Sequence, residues 1–274
     1  NGDRAMTNLP DVQDLVLEHE GSVLTIWFNR PEAKNALSAD MVESLDAVLD
    51  SVHDDRSIRA IVIRGRCGVF CAGGDIKGFK SGAQGGEPDP AEVARGNRRF
   101  GELMQKLNEQ PQTVIMLVDG AAIGGGLGLA CVGDVTIVTE DARFRLSETS
   151  LGIPPAQIAP FVTERVGLTH ARRLMLTGAK FTGREAVDYG IAHLVASDSD
   201  DLQAQCDAVL KQLSFCAPGA NAVTKSIVFE TGRMSRSDAL DFAAAGFAYC
   251  MLSDEGREGV AAFVEKRKPR WADS

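Results

Sequence analysis

Between residues 12 and 28 apolar and polar side chains alternate, with one break at Glu20-Gly21-Ser22. A period of two places one face of a strand in a core, so this stretch predicts a hairpin ending in Ile26-Trp27-Phe28. The spacing changes after Ser38. Met41, Leu45, Val48, Leu49 and Val52 recur at three- and four-residue intervals, which predicts a helix over residues 39–52 with Ser38 as its N-cap. Ile61-Val62-Ile63, within a strand predicted over 58–64, and residues 114–118 are apolar and rich in β-branched side chains, as in strands covered on both faces. A helix is predicted over 91–108, another opening at the glycines near residue 124, and a further strand at 135–139. This alternation argues for right-handed βαβ connections and parallel strands.

Beyond Ala156 the pattern turns helical, broken at Gly167, Gly178, Gly183 and Gly190, with a short apolar strand at 191–195. Helices are predicted near 198–215, 219–232, 237–252 and 255–267. The chain thus reads as an α/β core over residues 1–200 and a helical region over 201–274. The Gly- and Pro-rich stretch 81–90 predicts a mobile segment.

Composition narrows the classes. Among 274 residues the net charge is −9, which argues against nucleic acid as a general partner, because phosphate binding needs a basic surface. No run approaches the ~18 apolar residues of a membrane span, and residues 1–10 are polar rather than leader-like, so a cytoplasmic location is expected. The six cysteines form no CxxC pair and read as reduced thiols. His19, His53, His170 and His193 are scattered, so no metal site is expected, and no G-x-S-x-G nucleophile elbow occurs.

The candidate chemistry lies in two glycine-rich stretches. One is Val69-Phe70-Cys71-Ala72-Gly73-Gly74-Asp75-Ile76. The other is Asp119-Gly120-Ala121-Ala122-Ile123-Gly124-Gly125-Gly126-Leu127-Gly128. The second lacks the Gly-Lys-Ser/Thr ending of a P-loop, and it stands too late in the chain for a dinucleotide fingerprint. Each follows a buried-strand pattern. One bared N–H from each could converge on a single carbonyl oxygen, the geometry of an oxyanion hole.

These residues carry a family resemblance. Phe70-Cys-Ala-Gly-Gly-Asp-Ile is similar to the F-x-A-G-x-D element of the enoyl-CoA hydratase/isomerase (crotonase) superfamily, and residues 124–134 resemble its G-G-G-x-E-L-A-x-x-C-D element. Further matches are 29–37, 144–153 and the terminal Phe263-Val-Glu-Lys-Arg-Lys-Pro. The resemblance implies a spiral of ββα units with a helical C-terminal trimerisation region, assembled as trimers or hexamers. It implies an acyl-CoA thioester held between the N–H groups of Ala72 and Gly125, with no separate cofactor. Around the coenzyme A moiety it points to Arg30, Ala33, Lys34, Gly73, Gly74, Asp75 and Ile76, with Lys77 nearby. Phe263 and Lys266 of the last helix would be contributed by a neighbouring subunit.

Typical hydratases of this family place two glutamates around a water. Glu148 matches the second. The first falls on Gly128. Three outcomes fit a single carboxylate: hydration with Glu148 as both base and acid, aided by Gln157, Ser147 or Glu102; Δ3,Δ2-enoyl-CoA isomerisation; or another reaction of the family. A non-catalytic acyl-CoA-binding or scaffold role also stays open. Residues 147–161 are similar to bacterial methylglutaconyl-CoA and isohexenylglutaconyl-CoA hydratases, which favours hydration of a branched or carboxylated substrate.

Overall fold

A computed structural model describes residues 9–75 and 89–273. The hairpin forms as β1 (Leu15–Glu20) and β2 (Val23–Phe28), antiparallel from Leu15↔Phe28 to Glu20↔Val23. α1 (Ala39–Val52) fills the predicted span. Ser38 Oγ accepts the Met41 N–H at 3.0 Å, a cap worth about 1 kcal/mol. Next come β3 (Ala60–Gly65), α2 (Pro90–Asn108), β4 (Thr113–Val118), β5 (Ala121–Ile123), α3 (Gly125–Val132), β6 (Val135–Thr139) and β7 (Arg143–Arg145). The C-terminal half adds α4 (Ala159–Thr177), β8 (Lys180–Thr182), α5 (Gly183–Asp188), β9 (Leu194–Ala196), α6 (Ser199–Leu213), α7 (Pro218–Thr231), α8 (Arg236–Met251) and α9 (Asp254–Val264).

Six strands form one sheet in the order β1-β2-β3-β4-β6-β9, parallel from β2 onward. Alternate residues of β3 and β4 face opposite layers. Ile61, Ile63, Val114 and Met116 belong to the large core with Met41, Leu45 and Leu49 of α1 and Leu103 of α2. Ala60, Val62, Ile115 and Leu117 pack on the other face with Leu202 and Cys206 of α6. Burial on both faces explains the unbroken apolar runs.

A second sheet, β5-β7-β8, has three residues per strand and no counterpart in the sequence reading. Two boundaries also move. The strand expected at 191–195 occupies 194–196, because the Ile191 and Ala192 amides donate to Ala186 O and close α5 instead. The last helix stops at Val264 rather than 267, and Lys266 adopts φ +54° just beyond it. Most of the 81–90 stretch lies outside the described residues; at its end Asp89 caps α2, accepting from Ala91 N–H. All six cysteines are free thiols. Among the described residues no helix is long and apolar enough to cross a membrane.

Candidate active site

The second sheet positions the chemistry. β5 and β7 run parallel, with Ile123 opposite Arg145, so the chain leaving β5 and the chain leaving β7 emerge at the same end. The first opens α3 at Gly125. The second reaches Glu148 at the start of a short 3₁₀ turn, Glu148–Leu151. Gly124 binds the two exits together: its N–H donates to Arg145 O at 2.8 Å. A Cβ on Gly124 would stand 2.7 Å from Glu148 Oε1, and its φ of +52° also calls for glycine. The Glu148 carboxylate therefore lies against the residue preceding Gly125.

Gly125 is the first residue of α3, so its N–H has no intrahelical acceptor and sits at the positive end of the helix dipole. The first glycine stretch lies alongside. Cys71 pairs in parallel with Ala122 of β5, the strand whose exit opens α3, so the two glycine stretches run side by side up to that point. On the other side Leu37 bridges Gly74, through Leu37 N–H to Gly73 O at 2.8 Å and Asp75 N–H to Leu37 O at 3.0 Å. In a parallel bridge the central residue's own N–H points away from the partner. The Gly74 amide therefore faces the Gly125 side, and among the described residues it has no acceptor.

This geometry corrects one sequence expectation. The Ala72 N–H donates to Lys34 O at 3.1 Å and is not available to a ligand. Ala72 and Asp75 both direct their amides to the 34–37 segment. Gly73, at φ +101°, resets the alternation between them and leaves Gly74 as the exposed donor.

Arg30 is corrected as well. Its Nη2 lies 2.8 Å from Asp75 Oδ2, its Nη1 donates to Ala36 O at 3.0 Å, and its Nε stands 3.4 Å from Asp14. The hydrogen bond to Asp75 raises its pKa. Arg30 thus clamps the first glycine stretch rather than offering a free cation. Ala33 and Lys34 form the turn beneath it, and the Lys34 side chain is exposed. Ile76 and Lys77 lie outside the described residues. Cys71 is fully buried, and burial pushes its thiol up to about 12, so it packs and does not react. Phe263 and Lys266 are exposed on and just after α9, whose neighbours are α7 and α8. Within one chain they do not join the glycine loops.

Glu148 is half-buried, and Oε2 is buried with no hydrogen-bond partner among the described residues. Burial raises its pKa, while its own and Ser147's backbone amides pull partway back. A half-buried carboxylate with one unpartnered oxygen, packed against Gly124 at the start of α3, has the character of a group that can take a proton and return it.

Position 128 has the opposite character. A Cβ on Gly128 would meet Ile158 Cγ2 at 2.4 Å and Met104 Cε at 3.4 Å. Hydrocarbon fills the place a longer side chain would need. Gln157, next to Ile158, is held against α2: its Nε2 donates to Asn97 Oδ1 at 3.0 Å, and its Oε1 lies 2.0 Å from where a Cβ on Gly101 would be. Of the three candidates to aid Glu148, Gln157 lies at this wall and Ser147 adjoins Glu148 in the chain. Glu102 is exposed on α2.

Residues 18–274 match the family model described as enoyl-CoA hydratase/isomerase. The chain belongs to that family. Among solved structures it is similar to Pseudomonas aeruginosa AtuE, with a TM-score of 0.91 and 50% identity over 95% of this chain and 100% of the other. An enoyl-CoA hydratase/isomerase from Marinobacter aquaeolei also gives 0.91, at 43% identity over 94% and 99%. A curated relative, the probable enoyl-CoA hydratase of Bacillus subtilis, is 33% identical over 94% of this chain and 97% of its own. The crotonase-like fold expected from the glycine motifs is therefore the fold of this chain. Gly74 was expected near the coenzyme A moiety rather than as an oxyanion donor, and Ile158 and Gly101 were not singled out in the sequence.

Proposed function

We propose that this chain hydrates an α,β-unsaturated acyl-CoA, with the thioester oxygen between the Gly74 and Gly125 amides and Glu148 as the one acid–base group. The observation that carries the reading is the buried, unpartnered Glu148 oxygen next to Gly124. Adding hydroxide to the β-carbon builds negative charge on the thioester oxygen, and preorganised amides stabilise that enolate by roughly 3 kcal/mol each. Glu148 takes the proton from water and returns it to the α-carbon, so atoms and charge balance within one turnover. Gln157 is the polar group set to hold the water's other side; an amide can orient water without exchanging its proton. The names of curated relatives, enoyl-CoA hydratases among them, support this reaction class.

The preferred substrate in this reading carries a carboxylate or branch on its acyl chain, because the protein supplies one carboxylate where two are usual. The sealed position at Gly128 also suits a second reading, Δ3,Δ2-isomerisation, in which one base moves a proton from C2 to C4. The deciding experiment follows ultraviolet absorbance with both substrate types. Loss of the conjugated thioester band from an α,β-enoyl-CoA supports hydration. Gain of that band from a β,γ-enoyl-CoA supports isomerisation. No change with either, across straight, branched and carboxylated chains, contradicts both and leaves acyl-CoA binding.

The coenzyme A end is completed by a second copy in this proposal. Phe263 stands 84% exposed and Leu252 72%, with Phe247, Tyr249 and Val264 also exposed on α8 and α9. Such an apolar surface fits burial against neighbouring chains in a trimer or hexamer, which would bring Phe263 and Lys266 to another subunit's site.

A further inference from the structure

We infer that Leu37 is a positioning residue that sets the spacing of the two oxyanion amides, a role that rests on the Gly74 and Gly125 reading above. Leu37 engages both donor stretches, by two different means. Its main chain is fixed on either side of Gly74: Leu37 N–H donates to Gly73 O at 2.8 Å, and Leu37 O accepts the Asp75 N–H at 3.0 Å. Its side chain crosses to the other stretch, where Cδ1 stands 2.9 Å from the position a Cβ on Gly125 would take. One leucyl side chain thus reaches from the backbone that frames the first amide to the residue that carries the second.

Elsewhere the two stretches meet backbone to backbone. Cys71 bridges Ala122, and a Cβ on Gly73 would stand 3.1 Å from Ile123 O. After Ile123 one chain turns into α3, and among the described residues no backbone hydrogen bond joins residues 72–75 to residues 124–128. Side-chain packing therefore sets the spacing there. Leu37 supplies it together with Phe100 of α2, whose Cζ stands 3.4 Å from the same point above Gly125. A close-packed interior passes such a contact on, because it has no slack to absorb it.

A spacer also needs a fixed base. Asn35, fully buried, donates from Nδ2 to Arg66 O at 3.1 Å and to Val69 O at 2.6 Å, and its Oδ1 accepts the Arg30 N–H at 2.8 Å. Just past Leu37, Ser38 Oγ donates to Asp14 Oδ2 at 2.7 Å as α1 begins. The segment is tied down on both sides of Leu37, whose side chain projects from a held point into the core. Small errors in placing a donor against a reacting atom cost large factors in rate, so a shortened spacer should be felt in turnover.

The test follows Leu37→Ala and the milder Leu37→Val in the full chain, with Leu45→Ala for comparison; Leu45, in the middle of α1, is 1% exposed in the same core. Isotope-labelled butyryl-CoA is saturated, so it stays intact while difference infrared spectroscopy reads its thioester C=O. Leu37→Ala should return the bound band part of the way toward its free position and cut kcat for crotonyl-CoA about tenfold, with KM moving less. Leu37→Val should do the same to a smaller degree, and it carries the test if the alanine variant does not fold. Leu37→Met, which nearly keeps the volume, should restore most of both. Leu45→Ala should lower the melting temperature as Leu37→Ala does, with the band left where wild type has it. A band that stays at its wild-type frequency in the shortened Leu37 variants overturns the inference, and so does an equal shift in Leu45→Ala. A wild-type band at the free position removes the two-amide reading itself, and the role of Leu37 with it.

Discussion

Two positions flank the start of α3, and they differ in what surrounds them. At Glu148 the fold leaves a carboxylate with a buried, unpartnered oxygen against Gly124. At Gly128 it leaves no space: Ile158 and Met104 close over the glycine. Burying an unpaired polar atom costs roughly 1–3 kcal/mol, whereas burying a methyl group stabilises. The fold therefore retains an unfavourable feature on one side of the pocket and removes its counterpart on the other. That asymmetry marks Glu148 as the side where chemistry is kept.

The strongest way to break the comparison is Gly128→Glu. If hydrocarbon fills that site, the new carboxylate is both overpacked and unpaired, and the protein should lose about 3 kcal/mol or more. For a chain of this size that is a melting temperature lower by roughly 6–12 °C. Adding Ile158→Ala should recover part of the loss. An unchanged melting temperature in Gly128→Glu would show that the wall is soft and the asymmetry superficial.

Next in size is Glu148→Gln, which keeps the shape and deletes the base. Turnover should fall by at least ~10²-fold, about 2.7 kcal/mol of barrier, with KM little changed. Near-normal turnover would move the proton transfer to another group.

A smaller effect sharpens the same contrast through stability. Burial raises the Glu148 pKa above its ordinary value of 4.5, so the folded protein binds its proton more tightly than the unfolded chain does. Stability from this group is then full below the unfolded value and is lost as pH rises through the folded one. Glu148→Gln should accordingly melt higher than wild type at neutral pH, and the gap should close near pH 4. The acid limb of wild-type activity should sit above the usual carboxylate range. A variant that melts lower at neutral pH would mean that the carboxylate is well solvated or paired.

The strands and helices that set the large sheet were legible because they are long enough to show a period. The hairpin, α1 with its Ser38 cap, β4 and β6 all follow from spacing alone. The second sheet was not legible, since three residues cannot distinguish a strand from a loop, and it is this sheet that delivers Gly125 and Glu148 to one place. The motif located the first glycine stretch but misplaced its donor by two residues. Ala72 is withdrawn by Lys34 O, and Gly73's positive φ turns Gly74 outward instead. Hydrogen-bond direction at one residue depends on its neighbours in space, and the pattern of apolar positions carries no trace of it. Arg30 shows the same limit: the resemblance pointed to it for the coenzyme A moiety, and Asp75 and Asp14 claim it.

The convergence of two amides on one oxygen can be measured without any variant. An acyl-CoA carrying an isotope-labelled thioester carbonyl, bound to the protein and followed by difference infrared spectroscopy, reports how strongly that C=O is polarised. Two donors from Gly74 and Gly125 should move its stretching band to distinctly lower frequency than in free acyl-CoA. A band at the free position in the bound complex would contradict the account at its centre.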